Sequence, residues 1–367
     1  MHDNVSVIGA GTSGLIAARD LAAAGIATRV YDQKSRLGYP PKASGIISIN
    51  GLESLGIGYR KAVTNELFGA NIHAGGAVMK VMSRKPQAHV LDREKLNLVC
   101  YEEAVSAGAK AELGTKINDD MLEELHRSSV LVGADGPLSA VAKHFSMGSI
   151  ERYTLTYKAE YNVSVEDPRA VDLYFDNSLA PKFFAWACPN SKDVLEIGIG
   201  IDGRHGNSKA AFEKFVRMKD IAGRIAGAKM LDGYASLIPM QTVRKVVDAK
   251  NEVVLVGDAA GQVKPTTGGG IVFGGNAARM AAKAIAGYIN RGDGLGTYEK
   301  LFRKNFGLDI KLHSFLNMIY SSFDERKLGF MINAAKTLGF ESFFANYGDM
   351  DRPSVMLKRF FLRGLAK

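Results

Sequence analysis

The sequence predicts an α/β fold on three observations. A short apolar strand, Val5–Ile8, runs into a glycine-rich turn and then an Ala-rich helix from Leu15 to Ala24. Between Tyr153 and Gly200 the pattern changes to alternating strands. Beyond Gly296 the chain reads as helix to its end. A two-part body with a helical C-terminal region follows, with a parallel, helix-covered sheet in the first part.

The elements follow in order. Gly25 closes the first helix as a C′ residue, and Ile26–Tyr31 is a second strand ending at Asp32. A Gly/Pro-rich loop spans Leu37 to Ser44, and a short helix is expected near Asn50–Leu55. Leu67–Ile72, Val78–Ser83 and Ala88–Leu91 have strand character and suggest an antiparallel insertion over 66–91. A helix over Arg93–Ala109 leads back to a buried strand at Val130–Asp135. Tyr157–Val165, Val171–Phe175, Phe183–Ala187 and Val194–Ile201 then form the alternating set. Ala210–Arg224 and Ile271–Ile289 read as helices, and Glu252–Val256 as a strand returning to the first body.

Length and composition bound the function. A chain of 367 residues suits two domains with room to enclose a large ligand. At 46% apolar and 23% charged residues, it is an ordinary globular sequence. Its two cysteines, Cys100 and Cys188, form no CxxC pair, so no disulfide framework, metal site or iron–sulfur centre is expected. Cys100 fits a small core residue. A strand begins within five residues of Met1, which leaves no room for a signal peptide and implies a cytoplasmic location. The net charge of +9 suits an anionic surface, but no zinc-finger, RRM-like or basic-helix pattern accompanies it, so nucleic acid is not expected.

The chemistry begins at Gly9-x-Gly11-x-x-Gly14, which follows a strand and opens a helix. Gly9 permits the tight turn, Gly11 admits a pyrophosphate close to the backbone, and Gly14 lets helix and strand pack closely. The helix start offers free N–H donors and its positive dipole end. Asp32 ends the second strand, where a carboxylate can accept both ribose hydroxyls and repels a 2′-phosphate. A Rossmann-type dinucleotide site follows. Gly257-Asp258-Ala-Ala-Gly261 and Pro265-Thr-Thr-Gly268-Gly269-Gly270 then stand between a strand and a helix. Asp258 suits ribityl hydroxyls, the glycines suit close backbone approach to an isoalloxazine edge, and the helix start suits a reduced, anionic flavin. FAD is therefore the expected cofactor.

Together with Gly133-Ala-Asp135-Gly136 and Ser139, these segments resemble the flavoprotein hydroxylase superfamily up to about Gly292. The resemblance implies a Rossmann-type FAD-binding domain with an inserted antiparallel β-sheet substrate domain. It divides the chain into 1–150 and 241–292 for FAD, 151–240 for substrate, and a C-terminal helical region over 293–367. It also extends the expected cofactor set to Ser13, Gln33, Ser44, Gly45, Arg93, Asp135 and Ile271.

Within that superfamily, Phe184-x-Trp186-x-Cys188-Pro189 followed by Gly198-x-Gly200 resembles the geranylgeranyl reductase signature. The usual form begins with Tyr and has Phe before Pro, so Phe184 and Cys188 are departures. Pro40-Pro-Lys-Ala-Ser44-Gly45 resembles a loop that carries a cysteine in many such reductases, and Ser44 stands in that place. The implied activity is reduction of isoprenoid C=C bonds in membrane ether-lipid precursors. Hydride leaves reduced flavin for one alkene carbon, and a proton reaches the other.

An apolar tunnel of Ile46, Phe183, Phe184, Trp186, Pro189, Gly198, Leu237 and Ile238 would receive the isoprenoid. No residue stands out as the acid; His73, His89, His144 and Tyr157 read as structural or surface groups. The electron donor is open between NAD(P)H and a ferredoxin-like protein, since only one dinucleotide fingerprint occurs. The alternative activity is that of an FAD monooxygenase or halogenase acting on an apolar substrate, and a third reading is a non-catalytic flavoprotein that carries prenyl lipids. The C-terminal run Arg352–Lys367 mixes bulky apolar groups with cations and suits peripheral contact with an anionic bilayer.

Overall fold

The structure, a computed structural model, describes residues 2–41, 44–241, 245–250 and 252–364, with side chains as far as Phe360. Lys42 and Ala43 of the proline-rich loop, and the C-terminal side chains from Phe361 to Lys367, lie outside the described residues.

The first body is built on strands β1 (Asn4–Ile8) and β2 (Ala27–Asp32), joined by helix α1 (Thr12–Ala23). The chain then adds β3 (Ile46–Ser48), α2 (Ile49–Leu55), β4 (Val63–Leu67), β5 (Gly69–Ala74), β6 (Ala77–Met82), β7 (Ala88–Leu91) and α3 (Arg93–Ser106). Next come β8 (Lys110–Leu113), α4 (Asp119–Ser128), β9 (Val130–Gly133) and α5 (Ala140–His144). The second body contributes β10 (Tyr153–Asn162), β11 (Ala170–Phe175), β12 (Ala185–Pro189), β13 (Val194–Asp202), α6 (Ser208–Val216), α7 (Lys219–Arg224) and β14 (Lys229–Pro239). The chain returns through β15 (Val247–Asp248), β16 (Val253–Leu255) and α8 (Ile271–Arg291), then closes with α9 (Thr297–Ser322), α10 (Glu325–Thr337), α11 (Phe340–Tyr347) and α12 (Pro353–Gly364).

Three sheets result. The six-stranded sheet runs β15-β16-β9-β1-β2-β8, parallel except at the β15 edge. Strands β9 and β16 are buried on both faces, which is why they read as continuous apolar runs, whereas β2 and the edge strand β8 expose residues to solvent. A three-stranded sheet runs β3-β7-β4, and a seven-stranded sheet runs β14-β10-β13-β12-β11-β5-β6.

The antiparallel insertion expected over 66–91 is divided between two sheets. Strands β5 and β6 extend the seven-stranded sheet, with β5 parallel to β11, while β7 pairs with β3 and β4. Strand order across a sheet is a long-range choice that local alternation does not encode. Strand β14 has no clear signal in the sequence, since alternation breaks at Gly233 and its pairing with β10 shifts register between Glu160 and Tyr161.

The pleat gives the seven-stranded sheet two distinct faces. Ala159 and Tyr161 of β10, Ala185 and Ala187 of β12, and Leu195, Ile197, Ile199 and Ile201 of β13 pack with Phe212 and Phe215 of α6. Residues of the opposite parity face the three-stranded sheet. There Phe183, Phe184, Trp186 and Cys188 join Leu67, Ala88, Val90 and Val171 in a separate buried cluster.

Candidate functional site

The glycine turn after β1 has little freedom to vary. Gly9 holds φ of 109°, and a Cβ there would strike the Ala134 carbonyl. A Cβ at Gly14 would strike the carbonyl of Gly9, so α1 lies directly on the turn. Gly11 differs: a Cβ there meets nothing within 4 Å, because it faces the open crevice. Helix α1 starts at Gly11 with no side-chain cap and no acidic residue in its first turn, which leaves its N–H donors available. In α3 those donors are taken, since Asp92 accepts from the backbone of Glu94 and Lys95.

Asp32 stands at the mouth of this crevice. Its carboxylate accepts from the Ala10 backbone at 2.7 Å and the Lys34 backbone at 2.8 Å, which fixes its aim. Gln33 is exposed beside it. The crevice, about 170 Å³, is lined by Gly11, Asp32, Gly38, Pro40, Arg93 and Asn97. Asn97 accepts a hydrogen bond from the Thr12 hydroxyl at 2.7 Å and ties α3 to α1. A larger groove of about 580 Å³ over Arg19, Asp20 and Glu103 is a solvated surface whose charges already pair with one another.

The second glycine loop closes on the same crevice. Gly257 and Gly274 leave room for the Ser13 side chain, which a Cβ at either position would meet at 2.7 and 2.6 Å. A Cβ at Gly270 would meet Asp258 at 2.8 Å, and one at Gly269 the Lys264 stem at 2.7 Å. Helix α8, starting at Ile271, has no side-chain cap and no acid in its first turn. Burial pushes the Asp258 carboxyl up to about 6, against the pull of Arg93. Burial likewise lowers Arg93, to about 10, and its Nη1 is buried with no hydrogen-bond partner among the described residues.

An interior cation with an unmet donor, a buried carboxylate and two uncapped helix starts fit FAD. Gly9, Gly11 and Gly14 would take the pyrophosphate, Asp32 the ribose, Asp258 the ribityl chain, and Gly268–Gly270 the ring edge. Ser44 and Gly45 enter β3 beside this crevice; a Cβ at Gly45 would strike the backbone of Leu91.

Asp135 lies in the turn that follows β9. Its carboxylate accepts from Ser139 at 2.6 Å and from the Ala140 and Val141 backbones, so it caps α5 and braces the turn against which Gly9 packs.

A model of the FAD-binding-domain family matches residues 3–305. The chain belongs to this family. Digeranylgeranylglycerophospholipid reductase 1 of Methanothermobacter thermautotrophicus is 28% identical to this flavoprotein, over 92% of this chain and 91% of the relative. The protein of the same name from Methanosphaera stadtmanae is 27% identical, over 92% and 89%. Among solved structures, a geranylgeranyl bacteriochlorophyll reductase-like protein from Thermoplasma acidophilum aligns with a TM-score of 0.79 at 21% identity, covering 90% of each chain. A flavin-dependent brominase aligns over both full chains with a TM-score of 0.72 at 15% identity. The two structural likenesses define a common fold.

The residues expected around the substrate divide between the two sheet faces. Phe184 and Trp186 lie in the cluster under the three-stranded sheet, with Ile46 and Ile238 packed against it. Ile238 also meets the flavin loop, where a Cβ at Gly268 would lie 2.6 Å from it. Leu237 is opposite Leu155, which packs under α6, so Leu237 is on the other face and leaves the candidate pocket. Pro189 falls in the alternation with Ala185 and Ala187 and leaves it for the same reason. Gly198 contributes no wall of its own: its missing side chain is the space the Trp186 indole occupies, and Gly200 does the same for Phe183.

The residues set aside as acids are indeed engaged elsewhere. His73 bonds Asp172 and stacks on Tyr174, His144 bonds Glu123, and Tyr157 packs on Phe212. His89 points away from its neighbours Ala88 and Val90, toward Tyr59. Cys100 is buried, and burial pushes its thiol up to about 12, which makes it inert.

Sequence reasoning missed two charged residues on the pocket face, Lys158 and Glu196. Glu196 is the one charge between Val194 and Ile201, which was the available signal; Lys158 belongs to the polar set Thr154, Thr156, Lys158 and Glu160 of β10, which reads as a solvated face.

Proposed function

We propose that this flavoprotein hydrogenates C=C bonds of geranylgeranyl chains in membrane ether-lipid precursors. The observation that carries this reading is the Ile238–Gly268 contact, which sets a closed aromatic cluster against the flavin loop. Relatives named digeranylgeranylglycerophospholipid reductase, matched over most of the chain, support the substrate class. Bound, reduced FAD supplies hydride to such a bond. The protein's part is to align the alkene along Phe184 and Trp186, exclude water there, and bring a proton to the second carbon.

The C-terminal helices support contact with an anionic bilayer. Phe315, Met318, Phe330 and Leu338 are exposed, with Lys311, Arg326 and Lys336 exposed among them. Among the described residues no helix is long and apolar enough to cross a membrane. Electrons arrive from NAD(P)H or a ferredoxin-like donor.

Anaerobic mixing of the reduced protein with a geranylgeranylglycerol phospholipid tests the reading. Reoxidation with a gain of two hydrogens per double bond is expected. Oxygen consumption coupled to an apolar substrate, with no anaerobic reoxidation, would instead identify a monooxygenase or halogenase.

A further inference from the structure

Glu196 is fully buried at the centre of the sheet face that carries Trp186. Its carboxylate accepts from Lys158 Nζ at 2.6 Å and from Trp186 Nε1 at 2.8 Å, and the nearby Ser44 side chain helps to hold it ionised. Lys158 is itself buried, and its Nζ lies 3.6 Å from Glu160. Glu160 keeps 31% of its side chain exposed, and Asn190 donates to it at 3.2 Å. These groups therefore run in one line from solvent, through Glu160, Lys158 and Glu196, to Ser44.

The pleat explains the line. Lys158 and Glu160 share one face of β10, and Glu196 is directly opposite Glu160 on β13. Ser44 is where the line ends, between the crevice lined by Pro40 and Arg93 and the cluster that Ile46 joins. A buried ion pair is a costly way to hold a sheet together, because packed apolar groups of similar volume do so as well or better. Each member is charged in the resting state: burial opposes the charge on both, but the pairing outweighs it, holding Glu196 below the usual carboxylate range and Lys158 above the usual amine range.

We propose that Glu160, Lys158 and Glu196 form a proton relay that delivers through Ser44 to the alkene, so that Ser44 is the residue that donates the proton. The inference rests on the reductase reading above and supplies the acid that reading lacks. In the transfer, the alkene π electrons form a C–H bond with the Ser44 hydroxyl proton as that O–H bond breaks. The other carbon receives the hydride that reduced FAD contributes. Lys158 first passes its proton to Glu196, and the Glu196 carboxylic acid O–H breaks to reprotonate Ser44 Oγ as Ser44 gives up its own proton. Lys158 recovers its proton from Glu160 and bulk water, so one proton enters from solvent per double bond reduced. Ser44 touches the substrate; Glu196, Lys158 and Glu160 act through it.

The test is anaerobic reoxidation of the reduced holoprotein by geranylgeranylglycerol phospholipid. Glu196→Gln and Ser44→Ala are expected to slow reoxidation about 100-fold, the usual size of a lost acid. Ser44→Cys, which keeps a transferable proton, recovers part of that rate. Glu160→Gln slows it less and enlarges the solvent deuterium isotope effect. Because Glu196→Gln strands Lys158, the double variant Lys158→Met/Glu196→Gln provides a folded neutral replacement. In FAD-free protein the emission of Trp186, the only tryptophan, shifts in Glu196→Gln but not in Glu160→Gln.

A double variant that holds FAD and turns over at the wild-type rate overturns the relay while leaving the reductase reading intact. An unshifted Trp186 emission in Glu196→Gln overturns it too. A wild-type protein that the lipid does not reoxidise removes both.

Discussion

The FAD crevice and the relay face of the seven-stranded sheet are built by opposite means. In the crevice the functional atoms are mostly backbone, and glycines at 9, 14, 257 and 270 keep side chains out of positions that neighbouring groups fill. On the sheet the functional atoms are side chains, and the glycines at 198 and 200 are seats for Trp186 and Phe183. The crevice is thus specified by residues close in sequence, the relay by residues 38 positions apart that become neighbours only through register. A backbone-built site tolerates almost no change at its glycines, whereas a side-chain-built site depends on which pairs survive together.

Substitutions can press on that difference. The largest effect is expected from Gly14→Val, because the new side chain would occupy the Gly9 carbonyl. Purified protein is expected to carry no flavin absorbance and to lose about 3 kcal/mol of stability in urea unfolding. Retention of FAD would mean that the turn can shift, and the contrast between the two regions would weaken.

Asp258→Asn comes next and separates function from stability. Burial raises this carboxyl from 3.8 to about 6, so folding binds it more tightly to its proton. The resulting destabilisation is fully present above about pH 6 and gone below about pH 4. In FAD-free protein the Asn variant is therefore expected to gain about 2 kcal/mol at pH 8 and nothing at pH 4, while its FAD affinity falls. Denaturant melts at the two pH values check the sign.

Gly198→Ala sharpens the role of the sheet glycines. Its methyl would displace the indole, at a cost of about 1–2 kcal/mol from overpacking. FAD content should be unchanged and Trp186 emission altered; loss of FAD would assign Gly198 to the cofactor instead. The smallest effect is expected from His144→Ala, whose hydrogen bonds with Asp119 and Glu123 lie at the surface. It should change stability by less than about 1 kcal/mol.

Local sequence alone determined the dinucleotide crevice. Gly9, Gly11, Gly14 and Asp32 sit within one strand–turn–helix–strand unit, whose geometry follows from the chirality of the chain and the freedom of glycine. The loop from Gly257 to Gly270 was legible for the same reason, as were the parallel sheet and the helical C-terminal region. Trp186 and Phe184 were recognisable as a motif, Glu196 was visible only as a lone charge in an apolar strand, and Lys158 was hidden among the polar residues of β10. Tertiary structure decided the rest. It moved β5 and β6 into the larger sheet and turned Leu237 and Pro189 away from the face that carries Trp186. It also brought Lys158, Glu196 and Ser44 together. The physical reason is periodicity. A strand records which residues share a face, but the partner strand and its register set what that face meets, and burial then determines which charges must pair.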